Sequence, residues 1–327
     1  GLYSVYAQLL SFQGDELYFV HEPTLVGKTL GDALLAYPDT SPVGVKTRDA
    51  ALLHPGLDTV IGPEDQLVVI TRDDDTATVG AVAPVDETAI LAAVPRAAER
   101  DATGPSRWLF IGWSSTLSDM LSELCGYATG PVDVEIVCRD GDLVRIAGAD
   151  TSRPGMAVTV TTWPDHVDAA SMLQDRKLAS FDYVVIFNQR NDGVTHDNST
   201  LMVMLQATAI LQSLPEGGRP AVVTELIEGR LRKLCKTEAG DIVVDSEMVA
   251  LMAAQLSENP DLLPILVDLC DADGSEIYLK DIGAYVRPGA TNYATMVEAA
   301  RRRGEIAIGY RRRADFTNPA ANFGALL

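Results

Sequence analysis

The sequence predicts an α/β chain in which a parallel sheet with helices on both faces lies between two smaller α+β modules. Two observations predict it. Between residues 106 and 245, apolar strand-like runs alternate with helical segments, and this alternation is typical of a parallel sheet. On either side of that region, short strands and helices are punctuated by glycine, proline and aspartate. We therefore divide the chain into residues 1–77, 78–105, 106–245 and 246–327.

The first module, residues 1–77, begins with a helical segment, "YAQLLSF". Three strand-like runs follow it, "ELYFV", "PVGVKT" and "DQLVVIT", with a short helix that Pro38 ends between the first two. Residues 78–105 are rich in alanine, proline, threonine and aspartate and have little periodic pattern. We predict that this second segment is a linker.

The central region, residues 106–245, contains five predicted strands with helices between them. Its helical segments are "LSDMLSELCGYA", "VDAASMLQDRKL" and "NSTLMVMLQATAILQSL". Its strands are "WLFIGW", "VDVEIVC", "AVTVTTW", "FDYVVIFNQ" and "PAVVTEL". Five strands in this alternation predict a Rossmann-like domain.

The last module, residues 246–327, contains the helices "SEMVALMAAQLSEN" and "ATMVEAARRR" and the strand-like runs "SEIYL" and "EIAIGYRRR". It resembles the first module. Gly14 and Gly274 align at an offset of 274 − 14 = 260, and Gly44 aligns with Gly309 at an offset of 309 − 44 = 265. Similar offsets indicate that the two modules are copies of one duplicated unit.

Composition and residue spacing argue against several classes of function. The 327 residues carry a net charge of −20 from 46 acidic and 26 basic side chains, which argues against binding to nucleic acid or to an anionic lipid surface. The apolar runs are far shorter than the roughly 20 residues that cross a bilayer. The four cysteines show no CxxC spacing, so we expect buried thiols rather than a zinc or redox site. No Ser-His-Asp, HExxH or Walker pattern occurs, and we predict no enzyme.

The turn after the first central strand is the candidate cofactor-binding site, with Gly112, Trp113 and Ser114. A dinucleotide fingerprint needs two further glycines, and Trp113 places a bulky ring where the cofactor must approach. Asp140 follows Gly112 by 28 residues, where an acid would hold a ribose, and Arg139 beside it would accept a phosphate. We favour a structural turn at both places, with NAD or ATP kept as the alternative ligand.

Acidic residues follow the fourth and fifth central strands, at the edge where open α/β sheets bind ligands. Asp192, His196 and Asp197 come after the fourth strand, and Glu225 and Glu228 come at the end of the fifth. Together these side chains are the candidate metal ligands. For the loop after the fourth strand, a turn that caps the next helix is the preferred interpretation.

Two arginine runs, Arg301–Arg303 and Arg311–Arg313, stand out on so acidic a chain. Phosphate binding is one interpretation. Solvated faces or salt bridges to a neighbouring subunit are the preferred one.

The order of modules resembles tandem regulator-of-potassium-conductance (RCK) domains. Five segments resemble the cytoplasmic region of the Castor/Pollux ion-channel family: "LAYPDTSPVGVKT", "GPEDQLVVITRDDDT", "LFIGWSSTLSDML", "VVTELIEGRLRKL" and "GEIAIGYRR". The composition alone predicts a bacterial source. Gly112 and Trp113 match the "GW" turn of that family. Glu225, Arg230 and Arg232 match its segment after the fifth strand.

The resemblance implies a fragment of a membrane channel at the cytoplasmic face of the cell membrane, with the small modules corresponding to RCK C-terminal-type parts. It implies self-association into a ring, a tetramer of full-length subunits, beneath a pore domain of the same chain. The ring would sense a ligand, with calcium as the candidate, and gate a potassium or calcium pore. Two alternatives remain: a soluble regulatory ring subunit of a potassium transporter, and an NAD-dependent oxidoreductase.

Overall fold

The computed structural model describes residues 2–92, 105–128, 130–148, 151–164, 167–188, 190–191, 194–195, 197–215, 219–232, 241–271, 273–289, 291–315 and 325–326. Its contacts group the chain into two compact units. One, here called the central unit, spans Arg100–Val249. The other, here called the split unit, combines Leu2–Glu99 with Ala250–Leu327. The split unit holds both predicted small modules, so this grouping does not test the predicted domain boundaries.

The N-terminal half of the split unit is an antiparallel sheet of four strands in the order β1-β4-β2-β3. The β4 run "QLVVIT" is almost entirely buried because it lies between two neighbouring strands. Its Leu67 and Val69 side chains pack with Leu30 in an apolar core. The elements are α1 (Tyr3–Leu9), β1 (Glu16–Val20), α2 (Leu30–Ala33), β2 (Ser41–Lys46), β3 (Ala51–Leu53) and β4 (Gln66–Thr71).

The central unit contains a sheet of six parallel strands in the order β12-β11-β8-β5-β6-β7. Its elements are β5 (Ser106–Ile111), α3 (Leu117–Tyr127), β6 (Val132–Arg139), α4 (Leu143–Ala147), β7 (Met156–Trp163), α5 (Ala169–Asp175), β8 (Tyr183–Ile186), β9 (Arg190–Asn191), β10 (Val194–Thr195), α6 (Asp197–Gln212), β11 (Ala221–Leu226), α7 (Gly229–Arg232), β12 (Asp241–Val244) and α8 (Asp245–Glu258).

That strand order confirms the predicted Rossmann-like fold. Counted from β5, the sheet has the order 3-2-1-4-5-6 of dinucleotide-binding domains. The sequence predicted five strands, and the sixth, β12, was missed because its four-residue run "DIVV" is too short to show a period.

Successive side chains of β5 point to opposite faces of the sheet, so this strand contributes to an apolar core on each face. Leu109 and Ile111 belong to the apolar layer under α5 and α6, whereas Phe110 belongs to the layer under α3 and α4. All three side chains are fully buried. Where the strand is covered on both faces, at residues 109–111, consecutive positions are therefore apolar, as is typical of parallel sheets.

The C-terminal half of the split unit contains α9 (Leu263–Asp268), α10 (Tyr293–Arg301), β13 (Tyr310–Arg311) and β14 (Ala325–Leu326). The predicted strand "SEIYL" is wrong, because residues 275–280 form no strand. Of the predicted run "EIAIGYRRR", only β13 is a strand, and it pairs with β14. In the N-terminal half the corresponding β1 pairs with β4 along five residues. Among the described residues no such partner pairs with residues 275–280, which explains the difference.

The turn that follows α1 recurs after α9 at the same offset of 260. Gly14 N donates to the Ser11 carbonyl, and Gly274 N donates to the Asp271 carbonyl, both at 3.0 Å. A Cβ atom would lie 2.9 Å from the Gln8 carbonyl oxygen at Gly14, and 2.0 Å from that of Asp268 at Gly274. Glycine is required in both turns because the backbone six residues earlier approaches so closely. The predicted repeat is thus present in the local structure of this turn.

The two halves of the split unit are joined by buried polar contacts. Gln255 Nε2 donates to Glu16 Oε2 at 2.7 Å and to the Leu10 carbonyl at 3.3 Å. Glu16 and Gln255 are 6% and 4% exposed, so this hydrogen bond pairs two polar groups that are largely shielded from water.

The first part of the predicted linker is attached to the C-terminal half. Residues 84–91, here called the strap, make four hydrogen bonds of 2.8–2.9 Å with it. Two join main chain to main chain, between Leu91 and Tyr285 and between Ala89 and Arg287. The others join Asp86 N to Thr295 Oγ1 and Asn292 Nδ2 to the Pro84 carbonyl. Residues 93–104 of the predicted linker lie outside the described residues.

The first arginine run pairs within the chain. Glu298 is buried beside the strap, and its carboxylate accepts hydrogen bonds from Arg301 at 2.6 Å and Arg302 at 2.7 Å. Arg302 also pairs with Glu87 of the strap at 2.6 Å. Arg301 and Arg302 therefore neutralise acids of their own chain, rather than facing only solvent or a neighbouring subunit. In the parts of the chain that are described, no helix is both long and apolar enough to cross a bilayer.

Candidate functional site

The turn after β5 is held by backbone geometry. Gly112 has φ of +93°, a left-handed conformation that favours glycine. Its N–H donates to the Val137 carbonyl at 2.7 Å, which ties the turn to β6. The predicted role of this glycine in a tight strand-to-helix turn is confirmed.

Trp113 is partly buried against the apolar layer under α3. Its Nε1 is buried and has no hydrogen-bond partner among the described residues. The Arg145 guanidinium lies 5.5 Å from the ring centre and pairs with Asp142 at 2.8 Å. The indole therefore packs next to Ser114, the position where a dinucleotide fingerprint that starts at Gly112 has its second glycine.

Ser114 is buried, and its Oγ lies 2.9 Å from Thr116 Oγ1 and accepts from Thr116 N at 3.3 Å. An open pocket of ≈ 370 Å³ lies beside these residues. Donors dominate its polar wall, so its chemistry suits an anion smaller than a dinucleotide. Its polar lining comes from Trp113, Ser114, Ser115, Ser118 and Arg145.

Arg139, at the end of β6, packs on a neighbouring residue. Its guanidinium lies 3.6 Å from the Trp163 ring centre and donates to the Pro164 carbonyl at 3.0 Å. Asp140 is exposed and begins a short 3₁₀ turn. Burial, with the nearby Asp142 and Asp140, raises the pKa of the Cys138 thiol to about 11, so this thiol is inert at neutral pH. Nucleotide binding by Arg139 and Asp140 stays a prediction.

At the other side of the sheet edge, Asp197 is the first residue of α6 and is 7% exposed. Its carboxylate accepts from Glu228 N at 2.7 Å, from Ile227 N at 3.1 Å, and from Asn188 Nδ2. Asp197 therefore joins the segment after β8 to the segment after β11. The sequence predicted Asp197 as a ligand or helix cap, and did not predict this link.

Glu225 lies at the same place, since its Oε2 accepts from Asn188 N at 3.0 Å. The structure thus brings the predicted residues Asp197 and Glu225 together through Asn188, and Asp197 reaches Glu228 through its backbone N–H. Asp192 and His196 lie outside the described residues. Asn188 was missed, although the polar "NQ" directly after a buried strand is a visible signal.

Two buried oxygens at this edge have no hydrogen-bond partner among the described residues, Asn188 Oδ1 and Thr224 Oγ1. Together with the Asp197 and Glu225 carboxylates they form an oxygen-rich edge, here called the acidic edge. Its donors are of the kind that hard divalent cations prefer.

Carboxylate spacing alone does not mark the acidic edge as a metal site. Asp197, Glu225 and Glu228 do not form a group with ligand oxygens within 4.8 Å. Within the described ranges that criterion finds Asp73–Asp75, three exposed acids after β4. Asp73 caps the 3₁₀ turn that contains the other two, which explains their grouping.

Comparison with known proteins finds similarity to one group of ion channels. The profile described as "Castor and Pollux, part of voltage-gated ion channel" matches residues 1–86. Ion channel CASTOR of Lotus japonicus is 25% identical over 354 residues, and probable ion channel POLLUX of Oryza sativa subsp. japonica is 23% identical over 348. Each of these matches covers 95% of this chain. The chain is thus similar to Castor and Pollux ion channels over nearly its whole length, which confirms the resemblance predicted from its sequence. It spans 40% of that CASTOR protein and 36% of that POLLUX protein.

Solved structures similar to this chain include the human SLO3 gating ring, at 11% identity and a TM-score of 0.48, over 80% of this chain and 53% of that one. The GsuK RCK domain is similar at 14% identity and a TM-score of 0.33, over 82% of this chain and 53% of that one. The fold assignment rests on the strand order of the sheet rather than on these similarities.

Proposed function

We propose that this chain is a ligand-sensing regulatory region of a cation channel. The observation that carries the proposal is the relationship to Castor and Pollux channels along 95% of the chain. In the proposed channel, full-length subunits form a tetrameric ring at the cytoplasmic face of the membrane, below a pore domain of the same polypeptide. Gating then requires that the ligand bind one state of the ring more tightly than the other.

The full-length protein tests this function in planar lipid bilayers. We expect a cation-selective current whose open probability depends on a ligand added to the side that carries this region. Substitutions in this region shift that dependence and leave the single-channel conductance unchanged, because they lie outside the pore. A full-length protein that carries no cation current excludes the channel function. Mass photometry of the same preparation is expected to show four subunits.

We also propose that the ligand is calcium and that it binds at the acidic edge. Calcium takes six to eight oxygen ligands, including carboxylates, amide carbonyls and water. Glu225, Glu228 and the unpartnered Asn188 Oδ1 supply such oxygens at one edge of the sheet. Asp197 positions these groups, because its carboxylate already accepts two backbone N–H groups. A bound cation would screen this concentration of negative charge and hold the β8 and β11 ends together.

Calcium binding is tested by the melting temperature of the chain with and without the ion. At a concentration 100-fold above the dissociation constant, calcium stabilises the folded state by about 2.7 kcal/mol. We expect Glu225→Gln combined with Glu228→Gln to remove this shift. The matched control is Asp74→Asn combined with Asp75→Asn, which removes two exposed acids after β4 and is expected to keep it. If only the control loses the shift, the ion binds after β4 and the acidic edge is not the site.

For the Gly112 turn we propose a structural role rather than dinucleotide binding, since Trp113 packs where the cofactor would approach. Isothermal titration calorimetry with NAD and with ATP is expected to give no micromolar binding. If NAD binds with micromolar affinity and Trp113→Gly leaves that affinity unchanged, the dinucleotide site lies elsewhere on the chain. Heat that Arg145→Ala removes would place it at this turn and contradict the proposal.

A further inference from the structure

A cavity of ≈ 110 Å³ lies in the split unit. Three segments that are distant in sequence enclose it. Residues 34–42 come from the N-terminal half, Val82 and Ala83 come just before the strap, and residues 293–307 come from the C-terminal half. Anything bound there would contact all three segments at once.

The lining of the cavity is uncharged. Leu34, Pro42 and Val297 give it apolar walls, and no acidic or basic side chain lines it. An ion would have to leave water without a counter-charge, which is strongly unfavourable. The occupant is therefore a neutral molecule with an apolar body.

One wall residue carries a hydrogen-bonding group without a partner. Tyr37 is 4% exposed, and its hydroxyl has no hydrogen-bond partner among the described residues. The other tyrosine of the wall is satisfied, because Tyr293 donates to the Ala307 carbonyl at 3.0 Å. Burial, and then the nearby Glu22, raise the pKa of Tyr37 to about 12, so at neutral pH its hydroxyl carries a proton. It is a donor that lacks an acceptor.

The volume limits the size of the occupant. An engineered cavity of about 150 Å³ holds benzene, with six heavy atoms. A cavity of ≈ 110 Å³ therefore takes a molecule of about five heavy atoms without rearrangement.

We propose that this cavity is a binding site for a small neutral molecule, with an apolar body and one oxygen acceptor for the Tyr37 hydroxyl. Short ketones, aldehydes and esters have this chemistry. Because the ligand contacts both halves of the split unit and the segment before the strap, binding stabilises their association. The proposal does not rest on calcium binding or on channel function.

The test compares two probes of the same shape on the 327-residue chain. Butan-2-one carries the carbonyl acceptor, and 2-methylbut-1-ene replaces its oxygen by a CH₂ group. Methyl NMR of Leu34 and Val297 reports occupancy. We expect saturable millimolar binding of butan-2-one, which Tyr37→Phe weakens by about fivefold or more, and no change for the alkene. Without ligand, Tyr37→Phe is expected to raise the melting temperature, because it removes an unpaired buried hydroxyl.

A pair of variants confirms the location. Ala83 lines the cavity and is exposed on its outer side, so Ala83→Leu fills the cavity from a position that tolerates substitution. We expect it to abolish binding of both probes. Ala81 is exposed and does not line the cavity, and Ala81→Leu is expected to leave binding unchanged. Failure of butan-2-one to bind overturns the proposal, as does equal weakening of both probes by Tyr37→Phe.

Discussion

The two halves of the split unit share a turn and differ in their sheets. After α1 and after α9, a glycine passes close to a carbonyl six residues earlier, with matching hydrogen bonds. Beyond the turn, β1 joins a sheet of four strands, whereas residues 275–280 form no strand. The same local pattern therefore gives the same turn twice and a sheet only once.

The difference separates local from non-local causes. The turn needs only a helix end and a glycine within about six residues. The strand needs a partner, and in the N-terminal half that partner is 55 residues away, since Glu16 is paired with Thr71 and 71 − 16 = 55. Sequence similarity between the halves predicts the first feature, and only the long-range partner decides the second.

The largest expected effect comes from one matched pair of substitutions. Leu17, in β1, is 4% exposed, and its counterpart at the offset of 260 is Ile277, which is half-buried. Leu17→Ala is expected to cost about 2–5 kcal/mol of the free energy of unfolding, because it leaves a cavity in a packed sheet. Ile277→Ala is expected to cost less than half of that. Urea denaturation measures both, and equal costs would show that residues 275–280 pack like β1.

A smaller effect is expected where the halves agree. Gly274→Ala places a Cβ atom 2.0 Å from a backbone oxygen, so the turn after α9 has to open, at a cost of about 1–3 kcal/mol. Gly14→Ala is expected to cost less, because its nearest contact, at 2.8 Å, is the flexible Gln8 side chain. Thermal unfolding measures the ranking. If Gly14→Ala is the more damaging, the two turns are not equivalent.

The smallest effect concerns the charge of Glu298 in the C-terminal half. Burial alone would raise the pKa of Glu298, but hydrogen bonds and charge from Arg301 and Arg302 lower it below 4.5. The ion pairs of Glu298 thus stabilise the folded state above pH 4.5. Their contribution to the free energy of unfolding is lost as the pH falls through the lowered pKa of Glu298. Glu298→Gln is expected to cost about 1 kcal/mol at pH 7, because both guanidiniums are partly exposed, and almost nothing near pH 2.

The control for this prediction is Glu87→Gln, which removes the exposed partner of Arg302 and is expected to cost less. Melting temperatures of both variants across pH 2–7 give the comparison. A Glu298→Gln cost that does not change with pH would show that the carboxylate stabilises the helix through packing rather than through its charge.

The central sheet could be predicted from sequence because its signal is local: continuous apolar strands alternate with helices, and Gly112 stands where a strand turns into a helix. The acidic edge could be predicted only in outline. Asp197 was a candidate ligand, but two of its partners are backbone N–H groups 30 and 31 residues further along the chain. Every residue except proline carries a backbone N–H group, so no sequence pattern predicts which of them will donate to Asp197. Asn188 was missed because amides are ordinary in turns.

The two halves of the split unit are synthesised at different times, because the central unit lies between them in the chain. The N-terminal half leaves the ribosome with β1 to β4 complete, yet the buried Glu16 carboxylate receives its amide partner only when Gln255 emerges. At about 5–20 residues per second, roughly ten to fifty seconds separate the two. During that interval the whole central sheet is translated. The nascent N-terminal half therefore holds Glu16 without this partner until Gln255 has been synthesised.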